Sequence, residues 1–203
     1  MIGLIDYDIG NLRSARRALE KTGAPVTMVR SPEELKEMDA AVLPGVGAFG
    51  DCMKSLRARG FEDAVKQFAG SGKPFLGICV GLQMLFERSH ENGIHEGLGL
   101  LPGEIRLLKA PGQKIPQIGW NTIAIEKENC PIFKGISNGS YFYFVHSYAV
   151  ETPDASIVAA RTEYGVSYPS IVWRDNIFAT QFHPEKSQRV GLQLLENFGA
   201  LAG

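Results

Sequence analysis

The sequence predicts an α/β fold: an open, mainly parallel central sheet with helices on both faces and an antiparallel extension. Three observations predict it. Short apolar runs alternate with longer amphipathic ones through the first half of the chain, as β/α units carrying a parallel sheet do. From about Pro102 the pattern changes to strand-like segments separated by Pro, Gly and Asn, which signals hairpins. A final apolar strand, Ile177 to Gln181, precedes a helical pattern that can pack back on the sheet.

Ile2 to Ile5 reads as a buried strand. Leu12, Ala15, Arg16 and Leu19 recur at helical spacing until Thr22-Gly23 ends the helix, and Val26 to Val29 is the second strand. Ala40 to Leu43 is the third. After the turn PGVGAFG a helix runs through Met53, Leu56, Phe61, Val65 and Phe68, broken at Gly60 and closed by GSGKP. Phe75 to Ile78 is the fourth strand. The extension holds strand patterns at 104–108, 121–125, 141–145, 157–160 and 171–173, and a helix with Leu194, Leu195 and Phe198 in register spans 190–201. No repeat, linker or low-complexity tract divides the chain, so one domain over residues 1–203 is expected.

Apolar residues make up 44% of the chain and charged ones 21%, the balance of a soluble globular protein. The net charge of -1, with no Lys/Arg block, argues against nucleic acid and for a small-molecule or protein partner. MIGLID lacks the basic region of a secretory signal, and no stretch is long and apolar enough to span a bilayer. Cys52, Cys79 and Cys130 are odd in number and far apart, which suits neither a disulfide framework nor a metal site, so a reducing cytoplasm is the expected location. Neither a metal nor a cofactor is called for. EGLGLLPG is a poor phosphate loop, since no clear strand precedes it and no helix pattern follows.

The segment PFLGICVGLQMLFE sets Cys79 between an apolar strand and a helix pattern through Leu82, Leu85 and Phe86. Gly77 and Gly81 flank it at minus two and plus two, where a nucleophile elbow tolerates only small residues. A buried, inert thiol is the commoner fate of a lone cysteine. Two glycines that weaken both strand and helix make that reading costly here, whereas Cys52 and Cys130 lack such flanks and are expected to be structural. The N–H groups opening the helix would favour thiolate over thiol, each pKa unit being worth about 1.4 kcal/mol. That of Val80 could also meet a developing oxyanion.

Near the other end, QFHPE follows an apolar strand. An extended backbone would turn His183 and Glu185 to one face as base and orienter for a cysteine nucleophile. The pair can reach Cys79 only if both strands end at the same edge of one sheet, where open α/β sheets bind ligands. His146, in the aromatic run YFYFVHSY, competes as base but has no carboxylate near it in sequence. That run reads as a strand with Phe142, Phe144 and His146 on one face and Tyr141, Tyr143 and Val145 on the other, most of it core.

PGVGAFG, GICVGLQ and HPE, in this order and spread over almost the whole chain, resemble the class I (triad) glutamine amidotransferases. More narrowly, PGVGAFG, PQIGWN and YFYFVHSY resemble the glutaminase subunits of imidazole glycerol phosphate synthases. The resemblance implies a flavodoxin-like fold and hydrolysis of glutamine through a thioester on Cys79, with His183 protonating the departing ammonia and Glu185 holding His183. It places the oxyanion at the Val80 N–H and at a donor from Gly45, Val46 and Gly47, a turn that in this family needs a backbone rearrangement to point correctly. It assigns substrate contacts to Gly47, Gln83, Glu91, Ser147 and Tyr148. It further implies a heterodimer with a (β/α)8-barrel cyclase subunit that receives the ammonia, contacted at or near Trp120, Tyr143 and Lys186. That subunit would make imidazole glycerol phosphate and a purine-pathway carboxamide ribonucleotide from a phosphoribulosyl-formimino ribonucleotide. By the residues alone, a glutaminase serving another synthase (anthranilate or pyridoxal phosphate), a thiol esterase of α/β-hydrolase type and a silent binding module stay open. The HPE spacing speaks against the esterase, whose acid usually comes from an earlier loop.

Overall fold

The structure is a computed structural model that describes residues 1–203. Its central sheet has eight strands. β1 (Ile2–Ile5), β2 (Val26–Val29), β3 (Ala40–Gly45), β4 (Phe75–Cys79) and β14 (Ile177–Thr180) run parallel in the order β2-β1-β3-β4-β14. β13 (Ser167–Arg174), β12 (Val158–Glu163) and β9 (Ala124–Ile125) continue it antiparallel. Every residue of β1, β3, β4 and β14 is buried, as strands covered on both faces must be.

The covering helices form two layers. α1 (Leu12–Lys21) packs on α6 (Gln188–Gly199), while α2 (Pro32–Lys36), α3 (Phe49–Ala58), α4 (Phe61–Gly70) and α5 (Val80–Met84) pack among themselves. Gly60 separates α3 from α4 in the left-handed region at φ +73, so the expected break divides two helices. α2 carries no long periodic pattern. Its signal is local: Ser31 accepts the Glu34 N–H as an N-cap, and Pro32 takes the first helical position.

Two smaller sheets were not foreseen. β8 (Gln117–Thr122) pairs antiparallel with β10 (Tyr141–His146), and β5 (Phe86–Ser89), β6 (His95–Glu96), β7 (Leu101–Leu107) and β11 (Tyr148–Glu151) form the other in the order β11-β7-β5-β6. The expected helix through Leu85 and Phe86 therefore stops at Met84. Leu82, Leu85 and Phe86 are all fully buried, so their spacing reflects burial on several sides rather than one helical stripe. EGLGLLPG runs from β6 into β7. β10 is not mostly core: Phe142, Phe144 and His146 are buried, but Tyr141 is 60% exposed and Tyr143 and Val145 are half-buried. A two-stranded sheet has no layer to cover its second face. One cluster of 57 buried residues joins the parallel strands, the antiparallel extension and α6. No helix is long and apolar enough to cross a membrane.

Candidate active site

Cys79 ends β4 and adopts φ 57, ψ -111 before α5 begins at Val80. Positive φ costs a side-chain-bearing residue about 1–3 kcal/mol, and the surrounding packing holds the strain. A Cβ on Gly81 would lie 1.9 Å from the Leu43 carbonyl oxygen, and one on Gly77 2.8 Å from that of Gly81. The two glycines thus let α5 fold back against β3 and β4. α5 has only five residues, but its opening N–H groups, that of Val80 first, have no partner within the helix.

β14 runs beside β4 with Thr180 paired to Ile78, so three residues beyond the strand His183 reaches the cleft that Cys79 also lines. The expected extended path from His183 to Glu185 is not what forms. His183 is extended, at φ -99 and ψ 97, but Pro184–Lys186 is a 3₁₀ turn, because the fixed φ of proline suits the first helical position. The turn still brings Glu185 back: its Oε1 lies 2.8 Å from His183 Nδ1, with both side chains 3% exposed. Nε2 is left free of that pair, and the imidazole lines the same cleft as Cys79. Burial opposes the imidazolium, but the Cys79 and Glu185 interactions outweigh it and raise the His183 pKa to about 10. The protonated imidazole is the form of His183 that this geometry favours.

His146 cannot replace it. Its Nδ1–H donates to the Tyr148 carbonyl at 3.0 Å, its Nε2 lies 3.1 Å from the Tyr168 hydroxyl, and burial pushes its pKa down to about 4. Cys52 and Cys130 are buried thiols raised by desolvation to about 11 and about 12, unlike a nucleophile.

The turn after β3 is held at three points. The buried Tyr7 hydroxyl donates to the Pro44 carbonyl at 2.7 Å, the Cys52 thiol to that of Val46 at 3.3 Å, and the Phe49 N–H to Glu91 Oε2 at 2.7 Å. β3 extends two residues further than expected, to Gly45, where a Cβ would stand 2.7 Å from the Gly81 nitrogen. Gly47 has open space around it but sits at φ +89. One glycine is there for close approach, the other for conformation.

A cleft of about 340 Å³ opens over Cys79 and His183, at the lower end of the ~300–1,000 Å³ of small-molecule sites. Val46, Gly47, Val80, Gln83, Glu91, Ser147, Tyr148 and Lys186 line it. Gly45 and Glu185 stand behind its wall. Gln83 donates to the Tyr148 carbonyl at 3.0 Å and to Gln181 Oε1 at 3.1 Å, so its amide hydrogens are used and its Oε1 remains an acceptor. Trp120 and Tyr143 lie outside the cleft as a cross-strand pair with rings edge-on at 6.0 Å, and Lys186 Nζ stands 5.8 Å from the Tyr143 ring. Sequence reasoning missed Pro116 and Val145 as lining residues, although both fall inside motifs it singled out. No group of three or more His, Cys, Asp or Glu is placed to hold a metal ion.

A family model, glutamine amidotransferase class-I, matches residues 3–201. The chain belongs to this family. Among its relatives, the imidazole glycerol phosphate synthase subunit HisH of Desulfitobacterium hafniense is 52% identical over 98% of this chain and 93% of its own length. The HisH subunit of Aquifex aeolicus is 51% identical over 96% and 94%. Solved structures of similar fold include a glutamine amidotransferase (TM-score 0.78, 22% identity, 100% of this chain and 98% of that one) and PurLQS from Thermotoga maritima (0.76, 19%, 99% and 96%).

Proposed function

We propose that this chain is the glutamine-hydrolysing subunit of an imidazole glycerol phosphate synthase. The observation that carries the reading is the buried Cys79–His183–Glu185 arrangement in a chain whose half-identical, full-length relatives bear that name. The Cys79 thiolate attacks the side-chain amide carbon of glutamine, and the oxyanion is met by the Val80 N–H and a donor of the Gly45–Gly47 turn. The tetrahedral adduct collapses as the His183 imidazolium gives its proton to the departing nitrogen, releasing ammonia and leaving a thioester. Water, deprotonated by the now neutral His183, attacks the thioester and releases glutamate. Glu185 keeps Nδ1 protonated throughout. Gln83, Glu91, Gly47, Ser147 and Tyr148 hold the substrate, Gln83 through its remaining acceptor oxygen.

The ammonia passes to a (β/α)8-barrel cyclase subunit in a heterodimer. What supports a docking partner is the outer face of β8 and β10, where Ile118 is 62%, Trp120 46% and Tyr141 60% exposed beside half-buried Tyr143 and Val145. Aromatic residues grouped in this way are typical of interface centres, and Val145 and Lys186 continue the face into the cleft.

Cys79→Ala in the complex is expected to lower glutamine-dependent synthesis by about 10⁴-fold or more while ammonia-dependent synthesis persists. Loss of both would make Cys79 a structural residue. The chain alone is expected to hydrolyse glutamine slowly and to speed up by orders of magnitude with the barrel subunit and its ribonucleotide. Equal rates with and without them would remove the conditional activation.

A further inference from the structure

β10 touches the docking face and the catalytic turn at the same residue. The Tyr143 side chain points outward, against Trp120 and under Lys186. Its backbone is bonded inward: the Tyr143 carbonyl accepts the His183 N–H at 2.9 Å, and the Tyr143 N–H donates to Ser187 Oγ at 3.0 Å. The Ser187 hydroxyl in turn donates to the His183 carbonyl at 2.6 Å. Two residues along β10, the Val145 carbonyl lies 3.9 Å from Cys79 Sγ.

Ser187 occupies the N-cap position of α6, where serine ordinarily accepts a helix N–H, yet it makes no side-chain cap bond. Its hydroxyl is turned to β10 instead. Gln188 next to it stands at φ +52, a backbone conformation that costs energy without glycine. Ser187 is fully buried, so no water replaces a lost bond, and both of its interactions are strong in the low-dielectric interior. β8 and β10 form their own two-stranded sheet. Phe142, stacked at 4.0 Å on Phe182, packs β10 directly against the residue before His183.

We propose that Ser187 is a positioning residue whose hydroxyl couples the docking face at Trp120 and Tyr143 to His183, so that seating of the synthase subunit speeds glutamine hydrolysis. The proposal rests on the functional reading above. Its alternative is a Ser187 that only stabilises the turn.

The test is steady-state glutaminase kinetics of the wild type, Ser187→Ala and Ser187→Cys, each alone and saturated with the barrel subunit and its ribonucleotide. Ser187→Ala is expected to slow the chain alone by about threefold or less, with KM for glutamine unchanged, and to cut stimulation by the partner about tenfold. Ser187→Cys, a weak donor of similar shape, recovers part of that stimulation. Adding Trp120→Ala lowers stimulation in the wild-type background but not further in Ser187→Ala. Full stimulation of Ser187→Ala, or an equal proportional loss of basal and stimulated rates, overturns the coupling. If Ser187→Ala does not fold, the same cycle on Ser187→Cys decides between additive and non-additive losses, additivity overturning the proposal. A wild-type complex that hydrolyses no glutamine would sink the functional reading itself, and this inference with it.

Discussion

The two walls of the cleft are built on different principles. The parallel wall, from the ends of β3, β4 and β14, presents Cys79, the Gly45–Gly47 turn and His183 by backbone conformation, from strands buried on both faces. The antiparallel wall is built on β10, which has one buried face and one partly exposed face, and is continued by Ser147 and Tyr148. The difference teaches where change is tolerated. At Gly45, Gly77 and Gly81 the parallel wall has no room for a side chain, whereas the antiparallel wall can vary its outer face while its inner one still shapes the cleft.

Paired glycine substitutions would break that comparison most sharply. Gly81→Ala forces a Cβ to 1.9 Å from the Leu43 oxygen and is expected to cost about 4 kcal/mol or more. Gly119→Ala on β8 meets nothing within 4 Å and is strained only by its φ of +136, a cost of about 1–3 kcal/mol. Urea unfolding of the two variants ranks them, and a larger loss for Gly119→Ala would contradict the account.

The inner face of the antiparallel wall carries a pH dependence of its own. Burial first, and the nearby His183 charge last, depress the His146 pKa from 6.5 to about 4, while its bond to the Tyr148 carbonyl partly opposes them. A base that binds its proton less readily when folded leaves stability intact above pH 6.5 and removes it as pH falls toward 4, by up to about 3 kcal/mol. His146→Gln should flatten the stability profile between pH 7 and pH 4.5. An unchanged slope would assign the acid sensitivity elsewhere.

The smallest effect belongs to the outer face. Trp120→Ala, with its ring 46% exposed, should move the urea midpoint of the isolated chain by less than the equivalent of about 1 kcal/mol. It should weaken binding of the proposed barrel subunit by about 2 kcal/mol or more, read by titration. A large stability loss with unchanged affinity would make Trp120 a core residue of the β8–β10 pair.

Much of this architecture was legible in the sequence. The strands at Ile2, Ala40 and Phe75 read correctly because a doubly covered strand is a continuous apolar run, and Gly77-x-Cys79-x-Gly81 marked the elbow because only steric need explains both glycines. The strand at Phe86 did not, since full burial on several sides imitates a helical stripe. The exposure of Tyr141 and Tyr143 was equally hidden, because apolar character says that a side can be buried and not what covers it.

By itself the sequence determined the residue types the chemistry requires and two of the local devices that hold them: the elbow glycines and the alternation in YFYFVHSY. Tertiary structure decided which histidine meets Cys79, through the register that sets β14 beside β4. It also decided that Tyr7 and Cys52 grip the turn after β3, and that the Ser187 hydroxyl leaves its own helix for β10. Local devices act between residues near in sequence, whereas strand neighbours and long-range hydrogen bonds depend on how the whole chain closes around one core.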